Sequence, residues 1–516
     1  MKFTLKYYLA QKFKGYSEYL FVYLFAYGFF LLSLSENFSA AHDSITYLND
    51  VTGKENLFHP HHLLYNALAA VWLDFWKLIF NDTPAYFIIE AFTAVWGAGI
   101  ILISWCFFRN RFNMAVTPAI IAVAVIAFSY GVWFYSANIE VYAPSVFFML
   151  WLLYELCNKK QPDSYGNLSV IHCLAILFHQ VNIIFSLILL FQLRKNKKFL
   201  INYILSGLVI VGGVYFYAGW YAEGHNNISD FSTWLLGYTY GHDYWAPWNS
   251  RTLPAMLTGF GHSFIGGQFI FNTGFLGDIL KENFSSHNFN DEIFLVKNLS
   301  TNTASLLLVL SMLAGLLMAV FTILMLKNKP WKNSEKRKIF QILFAAFWLY
   351  TVFFSFWEPE ILEFWILQSV IFWIVILGFS ADFLSKKNFA LLSIPLALSL
   401  FIVNYTGSIK WLKDKENDLY YIKIKELEKI VQPEDVFVLE KTWILDEYIS
   451  GFLGNMVYSS SDFEITGLKE QRGRIIYLQD TNRPLHELNS NFQSASGKVL
   501  QLTTGGTVII YEFSMK

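Results

Sequence analysis

The sequence predicts an all-α polytopic membrane bundle of about 10–12 transmembrane helices, with a small extracytoplasmic C-terminal α/β domain. Three observations predict it. Of the 516 residues, 55% are hydrophobic and only 15% charged, whereas soluble chains carry about 25% charged residues. Apolar runs long enough to cross a bilayer recur from the amino terminus to about residue 404. Beyond residue 406 charge rises, the long apolar runs stop and short strand-like pieces begin. The expected units are therefore 1–406, a membrane domain with outer loops 36–84 and 222–302, and 407–516, the α/β domain. The same arithmetic excludes other classes. A soluble enzyme lacks its solvated surface here, and 38 basic against 39 acidic residues leave no positive field for nucleic acid. Cys106, Cys157 and Cys173 lie inside apolar runs as small hydrophobes, with no disulfide or zinc pattern.

A helix must bury about 20 mostly apolar residues to span the bilayer, because lipid offers its backbone no hydrogen-bond partner. Runs that meet this are Tyr19–Leu34, Ala85–Phe108, Ala115–Ser136, Val141–Cys157, Leu200–Tyr221, Ala304–Leu326, Ile339–Trp357, Glu363–Phe383 and Phe389–Asn404. Lys and Arg stay on the cytoplasmic side. The basic clusters at Lys2–Lys14, Arg109/Arg111, Lys159/Lys160, Arg194–Lys198, Lys327–Lys338 and Lys386/Lys387 fall at alternate ends of the spans. The amino terminus is thus expected inside, and loops 36–84, 137–140, 222–302 and 358–362 outside. One stretch breaks the alternation: 170–193 has basic residues on both flanks and is interrupted by His179, Gln180 and Asn182. Two half-spanning helices meeting near His179 and Gln180 restore parity, and such a bend must be buried against protein or water. Ser39-Ala40-Ala41 loosely fits a cleavage site, but the long amino-terminal flank favours a retained span. In the tail, 436–440, 475–479, 499–503 and 507–513 are rich in β-branched and aromatic residues, while 419–430 follows a helical period.

Polar residues concentrate in a few islands. The first outer loop holds four of the eleven histidines, His42, His59, His61 and His62, together with Asp43. Acidic and imidazole groups at a membrane boundary share protons with a substrate or bind a cation, though a loop is also polar simply because it is solvated. His59-Pro60-His61-His62 opens an amphipathic segment, 63–80, expected along the interface. The second island, 136–144, includes Glu140 and Tyr142. Pro144 is tolerated in the first turn of the next span, and Glu140 gains from its dipole. His179 is the third, readable as a carbonyl-bonded core histidine or as the wall of a site. The loop 222–302 places Trp234, Tyr238, Tyr240, His242, Asp243, Tyr244, Trp245, Trp248, Arg251 and His262 close together. That composition serves an interfacial aromatic belt or a sugar-stacking face. Arg251 is one of three basic residues between 222 and 300, against seven acidic ones. Glu358, Glu360 and Glu363 read as a solvated turn.

A basic start, one span, an outer loop with an early aspartate and an interfacial helix, then many spans and an outer soluble domain resemble the GT-C glycosyltransferases. More narrowly, His59-Pro60-His61-His62-Leu63-Leu64-Tyr65 is similar to the His-Pro-Pro-Gly-x-Pro-Leu-Tyr stretch of the DUF2723 group, related to protein O-mannosyltransferases. Trp133, Glu140-Val141-Tyr142 and Phe178-His179-Gln180-Val181-Asn182 look like that group's following segments. The likeness covers about residues 17–220. Two departures stand out. The group's Gly-Asp-x-Gly-Glu is Ala41-His42-Asp43-Ser44-Ile45 here, so a partner carboxylate is missing, and Pro-Gly-x-Pro is replaced.

The resemblance implies an integral membrane glycosyltransferase, bacterial inner membrane rather than endoplasmic reticulum. Its partners would be a polyprenyl-phosphate-sugar donor, an extracytoplasmic protein, glycan or lipid acceptor, and membrane lipid. An inverting displacement needs a base for the acceptor hydroxyl and donors for the departing phosphate. Asp43 is the expected base. His59, His61, His62 and Arg251 are the expected phosphate contacts, His179 or Glu140 orients the sugar or the base, and His42 and Tyr142 are expected to bind substrate. No motif demands a cofactor; a divalent cation would suit the loop's carboxylates and imidazoles. The competing classes are a transporter or flippase of a lipid-linked sugar, using the broken helix at 170–193, a histidine metal site at His59–His62, and a non-catalytic assembly partner.

Overall fold

The computed structural model describes residues 2–158, 165–241, 245, 247–283, 289–332, 336–439, 444–459, 475–478, 497–501 and 507–511. It is an integral membrane helical bundle. Among the described residues six helices are long and apolar enough to cross a membrane, and a seventh is formed if the bent pair Val116–Ala127 and Tyr130–Ala137 counts as one span. Ser17–Leu31, Tyr142–Leu156, Asn167–Phe178 and Gln180–Gln192 are shorter apolar helices. The shorter ones fall on the remaining apolar runs expected as membrane helices, at 19–34, 141–157 and 170–193.

Helix α1 (Lys2–Leu31) is followed by α2 (Asp43–Gly53) and α3 (Tyr65–Lys77) in the first loop, then by α4 (Ala85–Cys106), α5 (Val116–Ala127), α6 (Tyr130–Ala137), α7 (Tyr142–Leu156) and α8 (Tyr165–Phe178). Helix α4 is packed by α1, α6 and α7. Gly97 permits the approach of α6: a Cβ there would lie 2.3 Å from Ser136 Oγ. Helix α3 is two-faced, as its pattern predicts. Tyr65, Ala69, Ala70 and Leu73 are buried while Leu68, Val71 and Phe75 are exposed, the arrangement of a helix lying along an interface.

The run expected as one span over 115–136 bends by 69° between α5 and α6. The bend is stable because protein groups take up the backbone that it frees. The amides of Tyr130 and Gly131 donate to Phe264 O and Ser263 O at 3.1 and 2.9 Å. Asn404 Nδ2 donates to Phe128 O and Phe264 O at 2.7 and 2.9 Å, and the Trp373 indole donates to Ser129 Oγ at 2.8 Å. The interruption expected at 170–193 is also present: α8 ends at Phe178, His179 is extended, and a 3-10 turn covers Gln180–Phe185. Asn182 anchors it. Its amide donates to Ala175 O at 2.8 Å and Ser145 Oγ at 2.9 Å, and it accepts from Tyr350 at 2.7 Å.

At one end of the bundle Arg109 pairs with Glu18 at 2.9 Å and Lys338 donates to Asn158 O at 2.9 Å. The opposite end carries the first loop and the tail. The last apolar helix runs Lys386–Leu412. In the tail, β1 (Val436–Leu439) is fully buried between parallel β2 (Met456–Ser459) and β3 (Ile475–Leu478), as a continuous apolar strand should be. Strands β4 (Gly497–Gln501) and β5 (Thr507–Tyr511) pair antiparallel. The ends of the expected strands at 440, 479, 502–503 and 512–513 lie outside the described residues.

Candidate active site

The stretch between α1 and α2 is tied down at every step. Ser35 N donates to Ala137 O at 3.1 Å and Glu36 N to Leu412 O at 2.8 Å. Asp418, fully buried, accepts from Phe38 N at 2.9 Å, Ser39 N at 3.3 Å, Tyr421 N at 2.9 Å and Tyr448 Oη at 2.6 Å. Ser44 Oγ then donates to Ile139 O at 2.9 Å. These bonds fix the start of α2, where Asp43 sits in the first turn and the helix dipole favours its carboxylate.

From Asp43 a polar wall runs through the first loop. Tyr47, one turn along α2, donates its hydroxyl to Asp43 Oδ2 at 3.4 Å and meets His62 Nε2 at 3.3 Å. A hydroxyl has one proton to give, so His62 Nε2 donates to Tyr47 when Tyr47 donates to Asp43. His62 stacks on His59 with centroids 4.5 Å apart, and the His61 and His179 rings lie 6.0 Å apart. Pro60–His62 forms a 3-10 turn capped by His59, whose Nδ1 accepts from His61 N at 3.3 Å. The wall continues to Tyr142, whose ring is 5.3 Å from that of His179 and whose hydroxyl donates to Glu363. Tyr135 also donates to Glu363, at 3.3 Å.

These groups enclose a cavity of about 250 Å³. Asp43, His59, His61, His62, Tyr142 and His179, expected from three separate islands, all line it. So do Tyr47, Glu358, Glu363 and Trp357, none of which was expected there. Glu363 and Glu358 do not form a merely solvated turn. Glu358 has φ +40°, a backbone conformation costing about 1–3 kcal/mol for a non-glycine residue. The signal was available: a carboxylate opening a span is the feature that singled out Glu140. The other wall is apolar, with Val181, Ile183, Ile184, Phe353 and Phe354, and Trp245 stands edge-on to Trp357 at 4.9 Å.

Three expected residues lie outside the lining. His42 is exposed and pairs with Asp291 Oδ2 at 3.2 Å. Glu140 is buried, and one of its oxygens has no partner among the described residues. Arg251 is exposed at the start of the helix Thr252–His262, its amide donating to Asn249 Oδ1 at 2.8 Å. Within the aromatic loop, Trp234 packs on Gly219, Tyr215 and His225, and His262 stacks on Tyr130. His242, Asp243 and Tyr244 lie outside the described residues. No three His, Cys, Asp or Glu side chains among the described residues are disposed to hold a metal; the rings of His59, His61 and His62 meet by stacking and edge contact.

Burial controls the electrostatics. It raises the Asp43 carboxyl above its ordinary value, opposed by the His42 charge and the Tyr47 bond. It raises Glu140 strongly, helped by the charges of Asp43 and Glu363, and lifts Glu358 to about 7. It lowers His59 to about 4 and His61 to about 2, and holds His62 well below the usual imidazole range. His42 goes the other way: burial opposes its charge, but the Asp291 bond and the charges of Asp291, Glu292 and Asp43 outweigh it.

No family model and no curated protein matches the chain. Solved structures do, two of them of one protein. One is ArnT from Cupriavidus metallidurans bound to undecaprenyl phosphate, at 11% identity and a TM-score of 0.55, covering 96% of this chain and 98% of that one. The other is the same protein in the apo state, at 12% and 0.57, covering 97% and 98%. The chain shares the ArnT fold. The GT-C-like bundle expected from the sequence is the fold observed, while the likeness to the narrower DUF2723 group finds no match.

Proposed function

We propose that this protein is a glycosyltransferase moving a sugar from a polyprenyl-phosphate-linked donor to an acceptor hydroxyl, on a protein, glycan or lipid, at the extracytoplasmic face. The observation that carries the reading is the convergence of Asp43, His59, His61, His62, Tyr142 and His179 on one cavity. The fold likeness to ArnT, solved with undecaprenyl phosphate, supports the ligand class. A cavity of about 250 Å³ suits a sugar-phosphate head, and the apolar wall suits the first part of a lipid chain.

In the proposed reaction the acceptor oxygen attacks the anomeric carbon while its proton passes to the Asp43 carboxylate. The bond from that carbon to the phosphate oxygen breaks, and its electron pair leaves with polyprenyl phosphate. Burial makes Asp43 a stronger base than a solvated aspartate. Tyr47 links it to His62, while Tyr142 and Glu363 face the sugar. His42 acts on Asp43 by charge from outside the cavity, and the Asp43 charge in turn helps to raise the buried Glu140. Arg251 takes no part.

The test is incubation of the purified protein with polyprenyl-phosphate sugars and mass measurement of candidate acceptors. Transfer is expected, and Asp43→Asn lowers it about 10²–10⁴-fold with unchanged thermal stability. Unchanged turnover in that variant removes the base assignment. Transport has one observation in its favour, the cavity-facing break at His179. The second break, between α5 and α6, is closed by protein groups, so paired half-helices do not face one site. Solute uptake by sealed vesicles with no covalent product would favour transport.

A further inference from the structure

We infer that the imidazole wall becomes charged as an anionic ligand binds, so that a phosphate head entering the cavity brings a proton from solvent onto His59, His61, His62 and His179 as a group. The inference rests on the proposed function for the ligand's identity. It concerns how the cavity balances that ligand's charge.

The geometry is a continuous set of rings. His59 stacks on His62 at 4.5 Å, approaches His61 at 5.9 Å, and His61 approaches His179 at 6.0 Å. Facing them are Asp43 and Tyr47 from α2, Tyr142 from α7, and Glu358 and Glu363 beyond the helix Arg337–Phe354. Among the described residues no Lys or Arg lines the cavity. With His59 held to about 4 by burial, and His61 to about 2 by burial and by the His179 and His59 rings, the wall is neutral at pH 7. A neutral imidazole offers one N–H and no net charge. A phosphate placed against it supplies the opposite charge, which raises a nearby imidazole's pKa by about one to three units. A rise at the top of that range takes a ring starting near 4 to about 7 in the complex. The sign follows: protons bind more readily to the complex, so affinity is highest in acid and falls as pH rises through the raised value.

The carboxylates compete for the same proton, Glu358 above all, since burial already holds it near 7. The experiment must therefore separate the two walls. Full-length protein in lipid nanodiscs is titrated with a methyl phosphodiester of undecaprenol, whose phosphate keeps one fixed negative charge. Calorimetry in buffers of different ionisation heat counts protons, at pH 6 and pH 8. About one proton taken up at pH 6 and few at pH 8 are expected, with affinity about tenfold weaker at pH 8. The uptake should survive Glu358→Gln and Glu363→Gln and shrink in His59→Asn and in His61→Asn. These two are read separately, so misfolding of one leaves the other informative. Binding without uptake, uptake lost with a carboxylate and kept without either histidine, or binding that needs added Mg²⁺ overturns the inference. No binding at either pH overturns the donor class and the inference together. Proton-coupled binding without sugar transfer overturns the enzyme reading and leaves this inference standing.

Discussion

Among the described residues two apolar stretches are interrupted, at Ser129 and at His179, and the interruptions serve opposite ends. At Ser129 the chain turns by 69°, yet the bend is closed: carbonyls of Ser263 and Phe264 take the freed amides, Asn404 takes the freed carbonyl, and Ser129 receives the Trp373 indole. At His179 the backbone is just as well anchored, through Asn182, but His179, Gln180 and Val181 line the cavity. A break in a membrane helix is thus a kink when protein meets all of its polar groups, and a site when some are left turned toward open space. The first kind matters for folding and the second for chemistry, and substitutions can separate them.

The largest expected effect is at the closed break. Asn404 is fully buried, donates to Phe128 O and Phe264 O, and accepts from Gly266 N at 2.9 Å. Asn404→Leu keeps the size and leaves Phe128 O and Gly266 N without this partner, each costing about 1–3 kcal/mol, while Phe264 O keeps the Tyr130 amide. The thermal transition of the purified protein should fall sharply or the yield collapse, while turnover per folded molecule stays within about twofold of wild type, a change of about 0.4 kcal/mol in the barrier. A stable variant would show that the bend holds without this residue.

At the open break the balance reverses. His179 caps the following turn by accepting from Val181 N at 3.4 Å, and it also presents its ring to the cavity. Asn can cap as well, so His179→Asn removes the ring and keeps the cap. Turnover should fall about 10- to 100-fold, or about 1.4–2.7 kcal/mol in the barrier, with little change in melting temperature. His179→Leu should lose both. Equal stability losses in the two variants, with turnover intact, would make His179 a kink residue like Ser129.

The sequence shows one of these breaks and hides the other for a physical reason. Charge on both flanks of 170–193 forces a bend there, whatever the packing, because basic residues resist crossing the membrane. Phe128-Ser129-Tyr130-Gly131 carries no charge, and its partners lie 132 or more residues along the chain, so hydropathy reads through it. The same distinction runs through the site. Asp43, His59, His61, His62, Tyr142 and His179 were legible because a polar side chain at the end of an apolar run is conspicuous. Glu363 occupies the same kind of position and passed for a solvated turn, since sequence does not tell which way a loop folds. The Asp418 cradle under the Asp43 loop joins residues 379 and 380 positions apart, and nothing local announces it.

The smallest effect concerns Arg251. Scarcity of cations in the loop 222–302 makes it the natural anchor for an anion, but scarcity carries no direction. The residue is exposed and outside the cavity lining, and its backbone amide, rather than its guanidinium, makes the bond to Asn249 that starts the helix Thr252–His262. A solvated cation contributes about 1 kcal/mol or less to a contact even when one forms, and salt weakens it further. Arg251→Ala should therefore change KM for a polyprenyl-phosphate sugar less than twofold at physiological ionic strength, about 0.4 kcal/mol, with no change in kcat. The imidazole variants, by contrast, should weaken binding in a pH-dependent way. If Arg251→Ala instead raises KM tenfold and abolishes the salt dependence, the anion is held by a fixed cation at the loop. The division between a solvated outer loop and a proton-balanced cavity would then be wrong.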